Sequence, residues 1–238
     1  RVTAPCKYAH PEGCGGCDFQ HIDPIAQLNL KKIVIQDQFK RIAKIEINPE
    51  IISKDSLKGL NWRTRLNLAI SEKKKLGLHA HKSNKIIEID ECLIAVEGIN
   101  KSEIFNKEWE YKDNIKISYS SDNEININQL GKNISGPDKL NEVVDDNKYY
   151  ISPKSFWQSH KKAPEFILEQ VLKFANIKEG ERVCDLYGGV GLFTLPISKI
   201  LGDNGEVHLI EMNRTCIADA NEMFADTKNI FIHNCNFF

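Results

Sequence analysis

Asp185-Leu186-Tyr187-Gly188-Gly189-Val190-Gly191-Leu192-Phe193-Thr194 opens on the last residues of an apolar run that starts at Arg182. The next apolar run, Val207 to Ile210, ends in an acidic residue, Glu211, 26 residues past Asp185. Apolar strand, glycine turn, helix and apolar strand in that order belong to a parallel, doubly wound sheet. Glycines at the turn let a ligand approach the backbone, and a carboxylate at the second strand's tip can accept from ribose hydroxyls. An adenosine-containing cofactor is the expected occupant. A dinucleotide would favour G-x-G-x-x-G, whose third position here is Thr194. The pattern D-x-x-x-G-x-G suits S-adenosylmethionine better, since that cofactor has no pyrophosphate to cradle and its ammonium sits well beside an acid. Candidate cofactor residues are Asp185, Tyr187, Gly189, Gly191 and Glu211. A dinucleotide and a turn without ligand remain the alternatives.

Upstream, Ser155-Phe156-Trp157-Gln158-Ser159-His160 precedes the helix expected over about 164–176. Gln158 is a candidate donor or acceptor for the cofactor, while Phe156 and Trp157 could equally cement a domain junction. Organisation changes at residue 152, which divides the chain into domains 1–151 and 152–238. Before it, Asp23-Pro24 reads as an N-cap with proline at the first helical position, starting a helix to about residue 43. Alternation of Leu66, Leu68 and Ile70 with Arg63, Arg65 and Asn67 marks a half-buried strand. Short alternating runs over 112–151 read as antiparallel sheet. After residue 152, three strands give only the first half of a doubly wound sheet, with an unpaired edge.

Seven cysteines fall unevenly along the 238 residues. Cys6, Cys14 and Cys17 crowd a loop rich in glycine, and Gly15-Gly16 between two thiolates lets the backbone wrap a metal. Three local ligands leave a fourth position that Cys92 could fill by folding back. The spacing alone leaves zinc and iron-sulfur both open. The chain has no stretch of 18 apolar residues and no signal-like apolar start, so a cytoplasmic protein without a membrane span is expected. Residues 1–90 carry 16 Lys and Arg against 10 Asp and Glu, a surplus of six cations within a chain of net charge −1. That is a mild footprint of a polyanion partner.

With C-x7-C-G-G-C followed by Gln20-His21, Leu76-Gly77-Leu78, the distant Cys92, Ser155 to Gln158 and the glycine loop in hand, the chain resembles the bacterial RNA 5-methyluridine methyltransferases. These are the iron-sulfur-containing uracil-C5 enzymes of tRNA and 23S rRNA. The resemblance runs from about Pro5 to Asn229, with seven residues between Cys6 and Cys14 where the family often has five. It implies an α/β protein in which an α+β iron-sulfur and RNA-binding domain with antiparallel sheet precedes a partial doubly wound, Rossmann-like S-adenosylmethionine domain. It implies a [4Fe-4S] cluster on Cys6, Cys14, Cys17 and Cys92. S-adenosylmethionine would be held by Gln158, the loop around Tyr187, and Glu211, and RNA by Arg63 and Arg65. A monomer is expected. The family's cysteine nucleophile and carboxylate base would lie C-terminal to Phe238, so these 238 residues alone are expected not to turn over. A metal-stabilised RNA-binding module without catalysis is the alternative.

Overall fold

The computed structural model describes residues 1–53, 59–110 and 114–235. By contact, the chain forms two compact units, one of residues 1–61 and 68–114 and the other of residues 62–67 and 115–238.

In the first unit, helix α1 (Pro24–Gln38) starts as its sequence dictates. Asp23 caps it by accepting from the Ile25 and Ala26 amides, and Pro24 occupies the first turn. The expected extension to residue 43 is present as a π-helical turn, Phe39–Ala43, ended by Lys44 in the left-handed region. No residue of α1 is buried, and Ile25, Ile33, Val34 and Ile42 are exposed. The core lies further on. Strands β1 (Arg65–Ile70), β2 (Leu76–His79) and β3 (Ile86–Glu88) run antiparallel, with Ala69 opposite Gly77 and Leu78 opposite Ile87. Helix α2 (Glu97–Lys101) and a 3-10 turn, Ile104–Asn106, follow. Leu68, Leu76, Ile99 and Ile104 are fully buried, each such side chain contributing roughly 1.5–3 kcal/mol.

The second unit takes the first residues of β1, at 65–67, and adds β4 (Ile115–Tyr119), β5 (Ile125–Gln129) and β6 (Lys132–Ser135) as an antiparallel run. The hairpin β7 (Leu140–Val144) and β8 (Asn147–Ile151) comes next. Residues 112 and 113 of the segment expected to be sheet lie outside the described residues. Then follow α3 (Ala163–Ala175), β9 (Arg182–Leu186), α4 (Thr194–Leu201), β10 (Glu206–Glu211), α5 (Arg214–Met223) and β11 (Ile230–Asn234). The last three strands are parallel in the order β11-β10-β9, with Val183 opposite Val207 and Val207 opposite Ile230. Alternating strands and helices produce this arrangement because parallel neighbours need a crossover helix.

The compact units do not divide at 151/152. Tyr149 and Ile151 of the hairpin share one hydrophobic cluster with Trp157, Leu168, Val190, Leu192 and Cys216. A strand pair whose inner face is buried by later helices belongs with them, whatever its own alternation suggests. No helix among the described residues is long and apolar enough to cross a membrane.

Candidate functional site

Glu211 ends β10 and its carboxylate is nearly buried, at 9% exposure. Oε1 accepts from the Met212 and Asn213 amides at 2.8 and 2.7 Å, and Oε2 from the Gly189 amide at 3.0 Å. A carboxylate has about four acceptor positions, so Glu211 keeps one for a ligand while tying the glycine loop to the tip of β10. Asn213 then caps α5, its side chain accepting from the Thr215 and Cys216 amides.

The loop itself is held from below. Thr194 at the start of α4 donates its hydroxyl to Asp185 Oδ2 at 2.6 Å. Burial pushes the Asp185 carboxyl above its ordinary value, the Thr194 bonds pull it back, and Glu211 adds to the rise. Gly191, at φ 91°, passes so close to Phe224 that a Cβ would lie 2.5 Å from its ring. Gly189, at φ 57°, has no atom within 4 Å of where a Cβ would stand. Gly191 is thus glycine for packing and for its backbone, and Gly189 faces open space. Tyr187 takes φ 60° and is 62% exposed beside that opening. The structure therefore brings Asp185, Tyr187, Gly189, Gly191 and Glu211 to one corner of the sheet.

This corner fits S-adenosylmethionine. It presents two carboxylates, a backbone bare of side chains and an open approach, which suit a ribose and a cationic amino acid. Two carboxylates would repel a pyrophosphate.

Gln158 lies on the loop that joins β8 to α3, and its neighbours are all committed. Trp157 is buried and its indole bonds Glu142. The Ser159 carbonyl accepts from the Thr64 amide at 2.7 Å and its hydroxyl at 3.1 Å. Ser155 donates its hydroxyl to Asp219 Oδ2 at 2.6 Å. Gln158 is half-buried. Trp157 is core, and Phe156 is 66% exposed.

The Arg65 guanidinium turns inward and donates through one nitrogen to the carbonyls of Ser155 at 2.6 Å and Pro153 at 3.3 Å. Burial pulls it below its ordinary value while Glu142 opposes the shift. Alternation placed it away from the Leu66 side but could not show its bonds to the 153–155 loop. Arg63 differs, lying over the Trp62 ring at 5.9 Å, with Nε donating to the Arg65 carbonyl at 3.0 Å.

In the first unit, Cys14 forms a bridge with Ala80, and the Gly15 amide donates to the His79 carbonyl at 2.9 Å. A Cβ on Gly15 would lie 2.7 Å from that oxygen, so glycine there lets the cysteine loop lie against β2. The Gly16 amide donates to Cys14 Sγ at 3.3 Å. Burial pushes up the thiols of Cys14 and Cys92, which feel one another, with Cys6 and Cys17 also in electrostatic reach of Cys14. Amides of Ala95 and Ile94 point at Cys92. Among the described residues, however, no three His, Cys, Asp or Glu side chains stand close enough to hold a single metal ion. That arrangement lends no support of its own to zinc or to an iron-sulfur cluster.

Sequence reasoning missed Ser155 and Asp219. One signal was present: Asp219 sits three residues past Cys216 on the helix face that also carries Ala220, and a carboxylate on a buried stripe needs a partner.

No family model matches the chain. It is similar to an RNA methyltransferase of Streptomyces avermitilis, 30% identical over 272 residues, covering 98% of this chain and 62% of the relative. An RNA methyltransferase of Streptomyces coelicolor is 29% identical, covering 94% and 57%. The 23S rRNA (uracil(1939)-C(5))-methyltransferase RlmD of Acinetobacter baumannii is 25% identical, covering 93% and 58%. The chain thus spans roughly three-fifths of the length of these relatives. Among solved structures, the Pyrococcus abyssi tRNA (uracil-54, C5)-methyltransferase in complex with S-adenosyl-L-homocysteine matches at a TM-score of 0.67 and 20% identity, over 94% of this chain and 66% of that one. The chain therefore has the mixed α/β fold of an S-adenosylmethionine methyltransferase, in the form that the Pyrococcus RNA enzyme takes.

Proposed function

We propose that these 238 residues are the RNA-facing and cofactor-binding part of an RNA uracil-C5 methyltransferase acting on tRNA or 23S rRNA. The observation that carries this is the Gly189–Glu211 bond, which closes the glycine loop onto an acidic strand tip and leaves the open side of Gly189 for a ligand. Similarity along nearly the whole chain to RNA methyltransferases supports it. Glu211 would take a ribose hydroxyl, Asp185 would favour the cofactor's ammonium, and Gln158 would supply an amide bond. S-adenosylmethionine, when bound, supplies the methyl group.

Three thiols in one loop, with the distant Cys92 in electrostatic reach of Cys14 and Cys17 and amides aimed at Cys14 and Cys92, support a [4Fe-4S] cluster on Cys6, Cys14, Cys17 and Cys92. The cluster's work in this reading is to staple the loop against β2, and Arg63 contacts RNA.

None of the other described cysteines stands ready as a nucleophile. Cys216 is buried under Ser155, Cys184 is exposed on β9, and Cys235 is exposed beyond β11. The chain alone is therefore expected to bind cofactor and RNA without methylating uridine. Calorimetric titration with S-adenosylhomocysteine and, separately, NAD tests this: one-to-one binding of the first alone is expected, and NAD binding alone would overturn it.

A further inference from the structure

Helix α5 touches both parts of the candidate cofactor site. Its N-terminus is fixed to the glycine loop through Glu211, which accepts from the Asn213 and Gly189 amides. One turn later, Cys216 and Asp219 stand three residues apart on one face, and both grip the loop that carries Gln158. Asp219 Oδ2 accepts from the Ser152 amide at 2.8 Å and from the Ser155 hydroxyl at 2.6 Å, while Cys216 engages the Phe156 amide and the Ser155 hydroxyl. Ser155 and Asp219 are 1% and 2% exposed. Lys139 Nζ, at 3.2 Å from Asp219 Oδ1, balances the buried charge. On the far side of the loop, Arg65 holds the Ser155 carbonyl at 2.6 Å.

We infer that Asp219 is a positioning residue that, through Ser155, sets Gln158 relative to Glu211 and the glycine loop. This rests on the reading of Gln158 and Glu211 as cofactor residues and goes beyond it. The physical reason is economy of tolerance: a hydrogen bond decays steeply with misalignment, and Gln158 sits half-buried between anchored neighbours. Its N-terminal side is placed by the Ser155 clamp three residues earlier, as its C-terminal side is by Ser159 on Thr64, and α5 joins the Ser155 clamp to the Glu211 corner. A carboxylate is the suitable anchor, since its short, charge-assisted bonds to one hydroxyl and one amide hold both ends of the Ser152–Ser155 turn.

The test is a double-mutant cycle read by calorimetric binding of S-adenosylhomocysteine to the 238-residue chain. Ser155→Ala and Asp219→Ala should each weaken binding about tenfold, and by less than about twofold once Gln158→Ala is present, because the clamp acts through that amide. Ser155→Thr, which keeps the hydroxyl, should restore most of the affinity. Thermal unfolding of each variant identifies any that fails to fold; Ser155→Ala, which removes one atom, carries the test if Asp219→Ala does. Equal losses with and without Gln158 would overturn the inference, leaving Asp219 a packing residue. If Gln158→Ala alone leaves binding unchanged, the reading of Gln158 falls, and the inference with it.

Discussion

The cysteine loop and the glycine loop are of similar length, yet they draw their order from different sources. Around the glycine loop, Glu211, Asp185 and Thr194 supply charge-assisted bonds, and Val190 and Leu192 are buried on each side of Gly191. Before Thr64, in contrast, the only buried residue among those described is Gly13. A few backbone bonds, such as the Cys14 amide to the Tyr8 carbonyl at 2.9 Å, and an exposed Lys7–Asp90 pair hold that region. Surface pairs of this kind contribute little. A segment with so little apolar burial needs an external staple, and a cofactor corner with so much internal bonding does not. The comparison teaches that the second loop carries its order in its own bonds, while the first has little order of its own.

Replacing Cys14 with Ser should break the first region and spare the second. Iron content and RNA affinity should fall together, with binding of S-adenosylhomocysteine unchanged; parallel metal analysis and filter binding check this. Arg65→Ala should destabilise the chain by about 3–5 kcal/mol in urea unfolding, since it leaves Glu142 and two carbonyls without their buried partner. Arg63→Ala should instead leave stability near wild type and lower the salt dependence of RNA binding by about one phosphate contact.

Within the glycine loop the two key glycines separate. Gly191→Ala should cost about 2–4 kcal/mol because both its backbone and the Phe224 ring forbid a Cβ. Gly189→Ala meets nothing and should cost only about 1 kcal/mol, for its left-handed backbone. Glu211→Ala should weaken S-adenosylhomocysteine binding about tenfold to hundredfold, the size of one or two hydrogen bonds to a charged group.

The smallest effect concerns pH. Asp185 has its folded-state value raised, so the folded chain holds that proton more tightly than the unfolded one, and stability from this group falls as pH rises. Its contribution is full below the unfolded value of about 3.9 and is lost as pH climbs through the raised folded value. The urea midpoint of wild type relative to Asp185→Asn should therefore decline across that window. A relative gain with rising pH would contradict the burial of this carboxyl.

Local chemistry was legible in the sequence, and partners across space were not. Asp185, Tyr187, Gly189, Gly191 and Glu211 meet because strand tips on neighbouring parallel strands must meet, so spacing sufficed. The Asp23-Pro24 helix start is likewise a matter of a few adjacent residues. The carbonyls that Arg65 meets were not legible, because period-two alternation names a face without saying what covers it, and Pro153 lies 88 residues away. That the β7–β8 hairpin packs in the same compact unit as the glycine loop was not legible either: Tyr149 donates to the Leu192 carbonyl at 3.0 Å, a contact no local pattern encodes. Cys92 was a candidate by default as a fourth thiol, and the family resemblance made it a ligand, since 74 residues separate it from Cys17.

Hydrogen exchange on anaerobically purified protein, before and after the iron is stripped by a chelator, tests the contrast most directly. The account predicts about four irons and four sulfides per chain, with amides of residues 6–17 losing protection on stripping while Gly189, Met212 and Asn213 keep theirs. Protein that lacks iron yet protects both loops equally would contradict it.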